Sequence, residues 1–347
     1  MRRTRQNLNS AMVFMAATIT LMMMSEWASA SPWVLPEGTT VLQLQYRTEF
    51  ADREYLPDGT NQAFPLNGEF GAQSVELGLR TGLGYRFEAS LMVIYKSIDF
   101  TADPLFLTTE NSSGETVPVS PIFSFSEQLE GLSDIYFALR YNAVDGPVKI
   151  TSELELKVPS GYDKPEGTFE DDAPTLSDPE TSDGTIPEGE LPIRDDLTLG
   201  DGQVDVTAQL LFGTYIPQSR TFAKANGGFR MRFNGPGEQV VWGLKVGQFI
   251  GEHIVLFSEV SGAHTVFKGD IVGKSFATRL PETPALGFPL ANFDFIDLRL
   301  DKDVVDFSGG FLLKFDQYEV VVSGGKVIDG ANVAELLFAS VGTLYRF

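Results

Sequence analysis

The sequence predicts an all-β chain: a transmembrane antiparallel up-and-down β-barrel of about 12 strands, with short periplasmic turns and long extracellular loops. Three observations carry that prediction. From residue 41 onward, short segments alternate apolar and polar residues with period two. The connections between these segments alternate short and long. Beyond residue 30 no stretch is apolar over the roughly 18 or more residues a spanning helix needs, so membrane insertion must be through strands.

The chain opens with Arg2, Arg3 and Arg5, an apolar run from Ala11 to Met24, and the small residues Ala28, Ser29 and Ala30. This is the pattern of a secretory signal peptide cleaved after Ala30. The run of about 14 residues is too short for a spanning anchor. The expected division is therefore 1–30 signal peptide and 31–347 outer-membrane barrel, with the cell outer membrane as destination. About 317 residues remain, enough for one all-β domain. The formal net charge is −21, and residues 1–30 contribute three Arg and one Glu, so their removal leaves about −23. Such an acidic chain argues against nucleic acid and against a basic patch for anionic lipid. There is no cysteine, which excludes disulfides, thiolate metal sites, a Cys nucleophile and a lipid-anchored N-terminal Cys.

The strands follow in order. The first sets Leu42, Leu44, Tyr46, Thr48 and Phe50 against Gln43, Gln45, Arg47 and Glu49, and the second Val75, Leu77 and Leu79 against Ser74, Glu76, Gly78 and Arg80. A tight turn at Gly82-Leu83-Gly84 leads to the third, where Phe87, Ala89, Leu91, Val93 and Tyr95 oppose Glu88, Ser90, Met92, Ile94 and Lys96. The fourth pairs Ile135, Phe137, Leu139 and Tyr141 with Asp134, Tyr136, Ala138 and Arg140. After Asp145-Gly146-Pro147, the fifth shows Val148, Ile150, Leu154, Leu156 and Val158 against Lys149, Thr151, Glu153, Glu155 and Lys157. The sixth has Val204, Val206, Ala208, Leu210 and Phe212 against Asp205, Thr207 and Gln209. The seventh has Ala223, Ala225, Phe229, Met231 and Phe233 against Lys224, Asn226, Arg230 and Arg232. Val240, Trp242, Leu244 and Val246 against Lys245 make the eighth, and Ile254 to Gly262, apolar on both faces, the ninth. Val305, Phe307, Phe311, Leu313 and Phe315 against Asp306 and Lys314 make the tenth, and Tyr318, Val320 and Val322 against Glu319 the eleventh. In the last, Leu337, Ala339, Val341, Thr343, Tyr345 and Phe347 share one face and Phe338, Ser340, Gly342, Leu344 and Arg346 the other.

Outer faces meet hydrocarbon, where a midplane Arg or Lys costs roughly 2–4 kcal/mol, and they carry none. Inner faces gather both signs. The candidate lumen-lining residues are Glu76, Arg80, Lys96, Arg140, Lys149, Glu153, Glu155, Lys157, Asp205, Arg230, Arg232 and Lys245, forming either a solvated pathway or an ion-pair network that braces the lumen. About 12 strands enclose a narrow or loop-plugged pore, between the filled eight-stranded and the open sixteen-stranded case. Short connections fall near Gly84, Asp145, Gln218, Gly251 and Asp316; those near Asn61, Ser113, Glu180 and Lys274 are long, and two outer ones near Gly235 and Gly330 are brief. Aromatics fall in two belts, Phe87, Tyr141, Phe212, Phe315, Tyr318, Tyr345 and Phe347 beside the short turns and Phe50, Tyr95, Phe233 and Trp242 near the other rim.

Glycines inside strands, among them Gly243, Gly309, Gly310, Gly324 and Gly325, mark either close packing of twisted strands or a kink that opens the wall sideways. The segment 159–201 is acidic and rich in Pro and Gly, and is expected to be a solvated extracellular loop. Around Asp178 to Gly184 the glycine is misplaced for an EF-hand, which leaves calcium as diffuse screening at most. Catalytic signals are poor: of the two histidines only His264 lies near Ser258, Ser261 and Asn292, the groups an outer-membrane lipid hydrolase would need. No Walker, Rossmann or zinc spacing occurs, and no cofactor is expected.

The ending Gly342-Thr343-Leu344-Tyr345-Arg346-Phe347 resembles the C-terminal signal of bacterial outer-membrane barrels, with Val341 where that signal usually has a polar residue. The resemblance implies recognition of the strand ending in Phe347 by the barrel-assembly machinery. More narrowly, Gly131-Leu132-Ser133-Asp134-Ile135-Tyr136-Phe137-Ala138-Leu139-Arg140-Tyr141, Leu156-Lys157-Val158-Pro159-Ser160-Gly161 and Leu199-Gly200-Asp201-Gly202-Gln203-Val204-Asp205 together resemble the Gram-negative outer-membrane family of phenol-degradation meta-pathway transporters. That implies a channel for passive passage of small, hydrophobic or aromatic compounds and supplies no site residues. A more distant similarity is to long-chain fatty-acid transporters. With only Ser31 to Thr40 before the first strand, the chain is expected to lack their N-terminal plug. The alternatives are a closed structural or surface-interaction barrel and, behind it, a lipid hydrolase.

Overall fold

The computed structural model describes residues 31–64, 67–103, 105–110, 113–123, 126–162, 198–233, 235–277, 288–289 and 294–347. The signal-peptide reading, Asn292 and nearly all of the acidic segment lie outside the described residues.

Twelve antiparallel strands close into a barrel. They are β1 (Thr40–Ala51), β2 (Glu69–Gly84), β3 (Phe87–Thr101), β4 (Glu127–Asp145), β5 (Val148–Val158), β6 (Asp205–Ile216), β7 (Thr221–Arg232), β8 (Gln239–Ile250), β9 (Ile254–Thr265), β10 (Asp303–Lys314), β11 (Tyr318–Ala331) and β12 (Leu337–Arg346). Each pairs with its sequence neighbours, and β12 returns to β1 over Val41↔Arg346 to Phe50↔Leu337. Closure removes every unpaired edge from the hydrocarbon, where an unsatisfied backbone group costs several kcal/mol.

The period-two pattern decides the faces as predicted. Leu44, Leu77, Leu139, Leu154, Leu210, Leu244 and Val341 are exposed on the outside, while Gln45, Arg80, Arg140, Glu153, Thr207 and Lys245 are buried within. Among the described residues the exposed apolar face is unbroken by charge at the waist. Rings gather at the short-turn rim: Phe87 lies 4.8 Å from Tyr141, Tyr318 4.7 Å from Tyr345, and Tyr345 5.8 Å from Phe347. The β9 segment, apolar on both faces, is a strand, its inward Val255 and Ala263 buried.

The short-turn end is periplasmic and the long-loop end extracellular by the usual sorting. Outside the barrel, long connections fold into small sheets: Arg53–Tyr55 with Asn61–Ala63 and Val333–Ala334, Leu105–Glu110 with Thr116–Phe123 and Phe288–Pro289, and Ile271–Ala277 with Asp294–Arg299. One expectation shifts, and one pair of alternatives narrows to close packing. Gly82-Leu83-Gly84 is not the turn: β2 runs through it, and Tyr85 and Arg86 turn the chain with φ of 50° and 69°. And glycines do not open the wall: Gly309 pairs with both Ser258 and Gly324, and Gly324 with Ala339, within continuous ladders.

Candidate functional site

The inward faces form a lumen in three levels. At the periplasmic floor Arg80, Glu88, Arg140 and Glu153, from four adjacent strands, are 3 %, 0 %, 1 % and 4 % exposed. Glu88 accepts Arg80 Nε at 2.8 Å and Arg140 Nη1 at 2.9 Å on Oε1, and Arg80 Nη2 at 3.0 Å and the Leu35 amide at 2.8 Å on Oε2. Arg140 Nε donates to Glu153, and Gln209 Nε2 to the other oxygen of Glu153. Charges this dry persist because each carboxylate oxygen accepts at least one hydrogen bond.

The Leu35 amide belongs to a segment the sequence reading did not place inside. Ser31 to Pro36 enters the lumen from below, which corrects the expectation of no N-terminal plug. Six residues suffice because the floor is prepared for them. Thr151 Oγ1 donates to the Pro32 carbonyl at 2.7 Å, and Asn142 Nδ2 at 3.4 Å. Trp33 and Leu35 bury against Val41, Phe222, Phe249, Val255, Leu312, Val321 and Leu344, with Trp33 edge-on to Phe222 at 6.3 Å. Two wall glycines admit the segment: a Cβ on Gly82 would lie 2.0 Å from the Pro36 oxygen, and one on Gly213 2.3 Å from Pro32 Cγ. The floor is thus charged on β2–β5 and largely apolar on β7–β12 and β1, where Glu319 with Lys314 at 3.4 Å and Arg346 at 3.8 Å forms a second charged cluster.

The middle is wetter. Glu76, Lys96, Glu155, Arg230 and Glu259 all keep partial exposure although their strands point them inward. Glu49 accepts Arg47 Nε at 2.8 Å and meets Lys96 Nζ at 3.4 Å; Lys245 pairs with Glu259 at 3.2 Å and lies 4.3 Å over the Phe257 ring. Arg230 donates to Thr207 Oγ1 at 3.3 Å and Gln239 Oε1 at 3.2 Å.

At the outer mouth Lys157 meets Asp201, Asp205 at 2.8 Å and Asp134 at 3.8 Å, and Arg232 meets Asp201 and Asp205 at 3.4 Å. Tyr162 donates to Asp134 and accepts the Gly202 amide at 3.1 Å, so the 199–205 loop folds over the mouth. Burial and this donation to Asp134 raise the Tyr162 phenol above its ordinary range. Burial pushes the Asp201 carboxyl up, but Lys157, Lys302 and Arg232 outweigh it and hold Asp201 below the usual carboxylate range. Lys302 is an exposed residue in surface terms, but the crowding of protein around its ammonium, with the like charges of Arg232, Lys157 and Arg230, holds it below the usual range against the pull of Asp201.

Of the sequence-predicted residues, Arg80, Arg140 and Glu153 meet at the floor; Glu76, Lys96, Glu155, Arg230 and Lys245 line the middle; Lys157, Asp205 and Arg232 meet at the mouth. Lys149 pairs with Asp145 at the periplasmic turn, on the rim. Arg47, Glu49, Glu88 and Asp134 were not among the candidates, although all alternate in phase with inward faces. Asp201 and Lys302 sit in loops and carry no such signal.

Among the described residues the hydrolase groups do not assemble. His264 Nδ1 lies 2.6 Å from Asp303 at the outer rim, Ser261 donates to Asp306 at 2.9 Å inside, and Ser258 is six strand residues, roughly 20 Å, from His264.

No protein-family model matches the chain, and no curated protein matches it. Among solved structures it is similar to the COG4313 outer membrane channel from Pseudomonas putida F1, with a TM-score of 0.57 and 11% identity over 90% of this chain and 97% of that one. It is also similar to the translocator domain of the autotransporter NalP from Neisseria meningitidis (TM-score 0.45, 10% identity, 98% of each chain). The CymD monoaromatic hydrocarbon channel follows at 0.38 and 9% identity over 90% of this chain and 89% of that one. The first likeness shows a shared fold, that of an outer-membrane β-barrel channel; the other two are too distant to carry argument.

Proposed function

We propose that the protein is an outer-membrane channel for passive passage of small compounds, hydrophobic or aromatic ones among them. The observation that carries this is the partial exposure of inward side chains at mid-lumen, between a floor and a mouth that are both closed by short segments held in place by non-covalent contacts. A brace with no pathway has no need of water at its centre. The apolar half of the floor, presently filled by Trp33 and Leu35, suits an apolar solute, in keeping with the sequence resemblance to phenol-degradation meta-pathway transporters. The C-terminal strand ending in Phe347 is the part that the barrel-assembly machinery would read. Single-channel recording in planar bilayers tests the proposal: ohmic steps that shrink when bulk is added at Thr207 support it, and silence of pure, folded protein overturns it. The dry floor favours the second reading, a closed structural barrel, which predicts that silence.

A further inference from the structure

We propose that the middle of the lumen holds a binding subsite for a small organic carboxylate that also bears a hydroxyl or amine donor, built from Arg230, Glu155 and Tyr136. It rests on the channel reading and narrows its solute class. Most described lumen charges are matched: Arg80 and Arg140 by Glu88, Arg47 and Lys96 by Glu49, Lys157 and Arg232 by Asp201 and Asp205, Lys245 by Glu259. Arg230 is different. Its Nε and Nη1 donate to the neutral Thr207 hydroxyl and Gln239 amide oxygen, and among the described residues no carboxylate reaches ion-pair distance. Gln239 is itself fully buried and tied through Nε2 to the Lys302 carbonyl at 2.8 Å. The guanidinium plane is therefore fixed from behind while, among the described residues, Nη2 has no acceptor, the arrangement that favours a planar, two-oxygen anion.

Register supplies the rest. Thr207 on β6 stands opposite Glu155 on β5 and Arg230 on β7, and Arg230 stands opposite Gln239 on β8. Two strand spacings put the Glu155 and Arg230 Cα atoms roughly 10 Å apart. The carboxylate of Glu155, partly exposed, has neither an ion pair nor a hydrogen bond among the described residues, and the Tyr136 hydroxyl on β4 is equally unengaged, although both lie within electrostatic reach of Arg230. An acceptor on β5 and a hydroxyl on β4, facing a cationic donor on β7, match a molecule with an anionic end and a donor end. A solute seated there would add contacts to Arg230 and Glu155 without breaking any protein contact described above.

The test is calorimetric titration of the full chain in detergent micelles with 4-hydroxybenzoate, benzoate and 4-hydroxybenzyl alcohol. Saturable binding of 4-hydroxybenzoate is expected, at least tenfold weaker for Arg230→Gln and intermediate for Arg230→Lys, which keeps the charge and loses the fork. The alcohol, lacking the carboxylate, should bind at least tenfold more weakly to the unaltered protein. Glu155→Gln should weaken 4-hydroxybenzoate and spare benzoate, and Arg47→Gln, at the other wall, should change neither. Heat-modifiable mobility certifies each folded barrel. No saturation, or equal affinity for Arg230→Gln, overturns the subsite. Conductance is read separately: a conducting barrel that fails to bind leaves the channel reading intact, and one that binds without conducting sinks the channel reading alone.

Discussion

The two ends of the lumen are closed by the same pair of chemistries, arginine or lysine against carboxylate, on strands at one end and across to a loop at the other. At the floor Glu88 and Arg140 are essentially dry and each answers two partners inside rigid strands. At the mouth Lys157 and Arg232 hold Asp201, a loop residue that keeps some contact with solvent. The first is a brace that fails only at high cost; the second is a latch that water can replace. Position along the axis, rather than residue type, decides which.

The largest expected effect follows from the brace. Glu88→Gln removes the carboxylate shared by Arg80 and Arg140 and leaves one positive charge in excess over Glu153 at the floor, and removing one partner of a buried pair costs about 3–5 kcal/mol. Urea unfolding from lipid vesicles should register it; a loss below about 1 kcal/mol would show that the floor is wet. Trp33→Ala comes next and reads out elsewhere. Truncating a buried Trp costs about 3–5 kcal/mol where the site cannot relax, but the 31–36 segment is held inside the barrel by non-covalent contacts that Trp33 dominates and can give way without unfolding the strands. The expected result is a severalfold rise in single-channel conductance with less than about 2 kcal/mol lost in barrel stability. Unchanged conductance would mean that this segment does not close the floor.

The latch should respond to acid. The folded carboxyl of Asp201 lies below its ordinary value of 3.8, so its contribution is complete above that value and is lost as pH falls through the lower, folded one. Conductance should rise reversibly below pH 3.8, and Asp201→Asn should show the raised level already at neutral pH. An acid response unaltered in that variant would assign it to other carboxylates. Smallest is Lys149→Gln, which breaks a rim pair with the half-exposed Asp145. Such pairs are worth about 0–1 kcal/mol and fade with salt, and a larger loss in the same urea assay would mean the rim is drier than its exposure indicates.

Much of this contrast is written in the alternation itself. Arg80, Arg140, Glu153 and Lys157 fall on inward faces because Leu79, Leu139, Leu154 and Leu156 must face lipid, and nothing beyond period two is needed to place them. What alternation cannot tell is depth: Glu153 and Glu155 are equivalent by pattern, yet one is sealed against Arg140 and Gln209 and the other is partly exposed. The plug was hidden for a related reason. Ser31-Pro32-Trp33-Val34-Leu35-Pro36 has no period, and the space it fills is set by Gly82 and Gly213, whose role appears only when remote strands are brought together. Gly82 read as a turn signal because close approach and chain reversal favour the same residue. The upper part of β4, from Glu127 to Leu132, does not alternate in hydrophobicity because it rises beyond the lipid, where neither face must be apolar.

The exchange between Thr40 and Phe347, each amide donating to the other's carbonyl at 2.8 and 3.0 Å, has a kinetic consequence. Every other rung of the barrel joins strands adjacent in sequence and can zip as a hairpin on its own. The β1–β12 seam alone requires residues some 300 positions apart to find each other, the step with the greatest loop-closure entropy and hence the last to form. Until it does, two bare edges are presented to whatever is nearby, and the speed of that single suture decides whether the chain matures or sticks to a neighbour.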